Sequence, residues 1–79
     1  MSILVKLSKE IDDLGTKVTE LEFREPEFGD VLAAGDGSDM ELVATIIERC
    51  ANISQPAVKK LSLKDVKLIS EKLQPFLDF

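Results

Sequence analysis

The chain reads as an α+β fold: an N-terminal two-stranded antiparallel β-hairpin over residues 1–25, then three or four packed α-helices over residues 26–79, as a single small domain. Three observations lead there. Apolar residues recur at every second position early in the chain and at helical spacing later. The change of period falls within Leu21-Glu22-Phe23-Arg24-Glu25-Pro26-Glu27-Phe28-Gly29-Asp30, where an alternating pattern runs into a proline. Asp12-Asp13-Leu14-Gly15 supplies the Asp and Gly of a tight turn between two alternating runs.

Ile3, Val5 and Leu7 alternate with Leu4, Lys6 and Ser8 in a first strand. Leu21 and Phe23 alternate with Glu20, Glu22 and Arg24 in a second, which starts near Thr16. Val18 falls on the wrong parity for that face, so a bulge near Thr19 or a partly covered second face is expected. Pro26 suits a helix's first turn, where its missing N–H would have no partner anyway. Phe28, Val31 and Leu32 then follow at helical spacing, and Ala34-Gly35-Asp36-Gly37 ends the helix.

Ser38-Asp39-Met40-Glu41 matches a capping box and opens a helix to about Asn52. Its apolar members, Met40, Leu42, Val43, Ile46, Ile47, Cys50 and Ala51, sweep an arc of about 180°, wider than the ~100° stripe of a surface helix. The helix is therefore central, or it keeps apolar surface for a partner. Ser54-Gln55-Pro56 starts a short turn of helix with Val58 and Leu61. Ser62-Leu63-Lys64-Asp65 is a weaker cap and opens the last helix, with Leu63, Val66, Ile69, Leu73 and Leu77 on one face and Leu68 outside it. Pro75 is expected to kink or end that helix near Gln74, leaving Phe76, Leu77 and Phe79 in an apolar tail.

Composition excludes several functions. Of 79 residues, 44% are hydrophobic and 32% charged, the balance of a globular protein. Residues 1–41 hold four basic and eleven acidic side chains, the remainder six basic and four acidic. An acidic first half repels phosphate backbones, and the absence of Trp and Tyr leaves only Phe for base stacking, so no nucleic acid is expected as a partner. No apolar run approaches the ~20 residues of a membrane helix. A lone cysteine and no visible signal peptide point to the cytoplasm. So small a chain gains stability by oligomerising, and self-association is expected.

Chemistry is nearly absent. Without histidine there is no His-dependent triad or metal site. Cys50 sits mid-arc on the most apolar helix, where burial makes a thiol inert. Gly35–Asp39 lacks the spacing of a calcium loop, with Ile47 where a bidentate glutamate belongs. Asp12 and Asp13 lie in a turn with nothing to perturb them. No enzyme, cofactor or metal is expected. Gly37-Ser38-Asp39-Met40-Glu41-Leu42-Val43 is superficially similar to the modified-serine segment of acyl carrier proteins, which makes a small acidic carrier or adaptor, with Ser38 as attachment site, the alternative reading. The usual Asp-Ser-Leu context is missing and the hairpin conflicts with an all-helical carrier, so Ser38 reads first as a helix N-cap.

The layout as a whole resembles the small tail assembly chaperones of tailed, contractile-type bacteriophages. The segment that carries the likeness is Leu21-Glu22-Phe23-Arg24-Glu25-Pro26 followed by Gly29-Asp30 and Leu32. Leu42–Cys50, Ser54–Val58 and Leu61-Ser62-Leu63-Lys64-Asp65 agree more loosely. The resemblance implies a non-catalytic protein of the bacterial host cytoplasm that binds the tape-measure protein, keeps its apolar helices soluble and helps recruit tail-tube subunits. It also implies a longer frameshifted product, of which this chain would be the short form. From the residues themselves, Met40, Val43, Ile47, Leu68, Phe76 and Phe79 are the candidate partner-binding positions. Arg24, Glu25, Pro26 and Asp30 are the family-motif positions. Arg24 and Asp30 are expected to pair across the strand–helix junction as an exposed ion pair contributing about 0–1 kcal/mol.

Overall fold

A computed structural model describes residues 2–77 of the chain. Strands β1 (Ser2–Asp13) and β2 (Thr16–Arg24) pair antiparallel, followed by helices α1 (Phe28–Ala34), α2 (Asp39–Ala51), α3 (Gln55–Val58) and α4 (Leu63–Leu77). The fold class is the one the sequence predicts.

Leu14 and Gly15 form the hairpin turn, both with positive φ, 52° and 93°. Two such residues give the primed turn whose twist matches that of the strands. Gly15 accepts the conformation freely, whereas Leu14 holds it with a Cβ. Asp12 Oδ2 accepts the Gly15 N–H at 3.3 Å. Register runs from Ser2 opposite Arg24 to Lys6 opposite Glu20, and resumes with Ile11 opposite Val18. Between them Leu7–Glu10 face Thr19 alone. The irregularity is therefore where Val18's parity places it, but the extra residues belong to β1.

One face of the hairpin lies on the helices. Val5, Ile11, Leu21 and Phe23 join Ile46, Ile47 and Cys50 of α2, Ala57 and Val58 of α3, and Ile69 and Leu73 of α4 in one core. Each large member contributes about 1.5–3 kcal/mol by burial. Helix α2 packs on β2, α1 and α3, while α4 packs on β1. Ser38 Oγ accepts the Glu41 N–H at 3.3 Å and so caps α2 as predicted, and Ser54 Oγ accepts the Ala57 N–H at 3.3 Å and caps α3.

Two helix boundaries differ from expectation. Helix α1 begins at Phe28 with Glu27 as N-cap, so Pro26 precedes the cap instead of forming the first turn. The Glu27 N–H is held at 2.8 Å by Asp30 Oδ2, and that bond sets where the helix starts. Helix α4 continues through Pro75 to Leu77. Proline there removes a single hydrogen bond in the final turn, while Phe76 and Leu77 are half-buried and hold that turn in place.

Candidate functional site

Two buried carboxylates decide which apolar side chains reach the surface. Asp30 is 2% exposed. Arg24 grips it with both terminal nitrogens, Nη1 to Oδ2 and Nη2 to Oδ1, each at 2.8 Å. Arg49 Nε donates to Oδ1 at 2.8 Å, and the Glu27 amide and the Cys50 thiol donate to Oδ2. Arg24 and Asp30 pair across the junction as expected, but the pair is not the exposed one predicted: the carboxylate is buried, the contact is bidentate, and Asp30 is shared with Arg49, which sequence spacing did not reveal. The Arg24 hydrogen bonds outweigh burial and, with those of Arg49 and the Glu27 amide, hold the Asp30 carboxyl well below its ordinary range. The same pairing raises the Arg24 guanidinium further. Burial, then the neighbouring Asp30 charge, push the Cys50 thiol up to about 11, so it stays protonated and inert. Glu25 is exposed, and its carbonyl accepts from Arg24 Nη1 at 3.3 Å. Pro26 is half-buried.

Asp65 is 1% exposed and has no cationic partner among the described residues. Its oxygens accept the Ser8 N–H at 2.9 and 3.0 Å and the Lys9 N–H at 3.4 Å, amides released from the ladder by the irregularity in β1. Burial alone would raise its pKa, but the Ser8, Ser62 and Lys9 hydrogen bonds prevail and lower it. Ser62 Oγ caps α4 by accepting the Asp65 N–H at 3.1 Å. Asp65 fastens α4 to β1.

At 100° per residue, a residue two positions before an inward-facing aspartate points about 160° away from it. Phe28 stands in that relation to Asp30, and Leu63 to Asp65. Phe28 is 70% exposed and Leu63 80%. Leu32, four after Phe28, is 62% exposed. With Asp30 and Asp65 turned inward, both Phe28 and Leu63 leave the core, while Ile69 and Leu73 keep the expected face of α4 inward.

Leu63 edges an apolar groove of about 600 Å³ between α2 and α4. Its α2 wall includes Met40, Val43 and Ala44, its α4 wall Val66 and Leu77, and its floor Ile47, Val58 and Leu61. Met40 is 67% exposed and Val43 half-buried, so these two predicted contact residues lie together at the groove. Ile47, also predicted as a contact, is fully buried in the core beneath it. Leu68 is exposed on α4 outside the groove. Phe76 is half-buried and sits with Pro26, Phe28 and Val31 in a separate shallow hollow. Phe79 lies outside the described residues.

The described residues hold no group of three or more potential metal ligands, and no helix is long and apolar enough to cross a membrane. Ser38 serves as a cap in a fold that begins with a hairpin, which leaves the carrier-protein alternative without support.

Searches of curated proteins and of solved structures found no match. A family model described as "Phage tail assembly chaperone proteins, E, or 41 or 14" matches residues 4–78, from the first strand to the end of the last helix. The hairpin, the Arg24–Asp30 junction and both groove-forming helices all fall within that span, and the chain belongs to this family of phage tail assembly chaperones.

Proposed function

We propose that this chain acts without catalysis, by holding apolar helical segments of the tape-measure protein in the α2–α4 groove until tail-tube subunits assemble around them. The observation that carries this reading is the groove itself: an apolar channel, edged by exposed Met40 and Leu63, in a chain that has few large side chains to spare. Helix-in-groove recognition needs such a surface, with anchors at helical spacing on the ligand. Phe28 and Leu32 form a second exposed apolar pair on α1, and we assign to it self-association of the free chaperone in the host cytoplasm.

Co-expression with a tape-measure fragment tests the reading. The wild-type chain should keep the fragment in the supernatant. The double variant Met40→Asp, Leu63→Asp should fold normally, because both side chains are exposed, yet leave the fragment in the pellet. Phe28→Ser should retain solubilising activity and reduce self-association measured by sedimentation velocity. Equal precipitation of the fragment with and without the wild-type chain would overturn the proposal.

A further inference from the structure

The two walls of the groove carry net charge of opposite sign. On α2, Glu41 and Glu48 lie three before and four after the lining residue Ala44, which places both on the outer edge of that wall. Asp39 lines the groove at the start of the same helix. On α4, Lys64 directly follows the lining Leu63, and Lys67 lies four after it and three before the lining Ser70. Lys59 lines the groove beside Leu61, and Glu71 is the one acid among these positions of the α4 edge. All of these side chains are exposed, and among the described residues none is engaged in an ion pair.

We infer that the groove takes an amphipathic helix of a client protein whose apolar stripe has basic residues along one edge and acidic residues along the other, and that the two charged walls fix the direction in which this helix lies. This rests on the groove reading above. An apolar stripe alone gives no direction, since a helix turned end for end presents the same aliphatic surface. Turning it does exchange its left and right flanks. With an acidic wall facing an acidic flank and a basic wall a basic one, the reversed pose sets like charges opposite each other, and such repulsive pairings give specificity. A client with two acidic or two basic flanks would satisfy one wall and oppose the other in either pose. For a long helical client, a fixed direction would align successive chaperones along it.

The test uses three synthetic helical peptides of about 15 residues, long enough to span α4. They share one Leu/Ala stripe and differ only in their flanks: one Lys-edged and Glu-edged, one Glu on both edges, one Lys on both. In low salt the mixed peptide should bind roughly threefold to tenfold more tightly than either other, the scale of two or three exposed ion pairs. That preference should shrink at high salt. In the variant Lys64→Glu, Lys67→Glu both walls are acidic, and the peptide with Lys on both edges should become the best ligand. A nitroxide on the N-terminus of the mixed peptide should broaden amide signals at one end of the groove. On a peptide with its flanks exchanged it should broaden signals at the other. Equal affinity for all three peptides, or an unchanged order in the variant, overturns the charge inference while leaving the groove reading in place. Failure of every peptide to bind overturns both.

Discussion

Replacing Asp30 by Asn keeps the shape of the side chain and removes its charge, which isolates what the junction of β2, α1 and α2 contributes. The carboxylate accepts two hydrogen bonds from Arg24, one from Arg49 and one from the Glu27 amide, all at 2.8 Å. Hydrogen bonds to a charged partner contribute about 1.5–3 kcal/mol each in favourable cases. The Arg24 and Arg49 side chains are 44% and 46% exposed, however, so both regain water when the charge goes, and much of that sum is returned. A net loss of about 2–3 kcal/mol is expected for Asp30→Asn, and about 3–4 for Asp30→Ala, which also removes the acceptor for the Glu27 amide. For a domain this small, 1 kcal/mol shifts Tm by about 4–8 °C, so the Asn variant should melt roughly 10–20 °C lower. Urea titration followed by circular dichroism at 222 nm is the suitable assay, since the chain has no Trp or Tyr. Glu25→Gln, one residue beyond Arg24 and exposed, should stay within about 0.5 kcal/mol of wild type. If Asp30→Asn matched that control, the hub would be a surface ion pair after all.

Further outcomes follow from the same contacts. Asp65→Ala strands the Ser8 and Lys9 amides beside a part-buried site and should cost about 2–3 kcal/mol by urea titration, with hydrogen exchange fastest at those two amides. Asp30 and Asp65 both ionise more readily in the folded chain than the ordinary value of 3.8, so their contribution is complete above that value and is lost as pH falls below it. Unfolding free energy should be level from pH 7 to about 5 and fall below about pH 4, with a shallower fall in Asp30→Asn. Leu14→Asn places a residue tolerant of positive φ before Gly15 and should stabilise the hairpin by about 0.5–1 kcal/mol, read as a higher urea midpoint.

The hairpin, its turn, the caps at Ser38 and Ser62 and the short α3 were legible because each is set by neighbours in sequence: alternation, a Gly, a serine three residues before the amide it accepts. Val18's parity even located the break in register. The two anchors were not legible. Asp30 meets Arg49 nineteen residues on, and Asp65 meets amides of β1 on the far side of the fold. Glu27-x-x-Asp30 was a faint capping-box signal that Pro26 obscured. The outward turn of Phe28 and Leu63 follows from burying Asp30 and Asp65, which apolar spacing alone did not show: it grouped Leu63 with Ile69 and Leu73 on one face. The groove between α2 and α4 depends on where those helices dock, and only the breadth of the α2 apolar arc hinted at it. Local rules expect Pro75 to kink or end α4 near Gln74 because they give no weight to half-buried Phe76 and Leu77 beyond it.

The most direct test of the account is an amide and methyl chemical-shift map of the labelled chain as a tape-measure fragment is titrated in. Shifts that concentrate at Met40, Val43, Leu63 and Val66, with Ile47 responding only from beneath, would be the outcome expected of helix capture between α2 and α4. A map confined to the solvent face of the hairpin, or to Phe28 and Leu32 on α1, would contradict it.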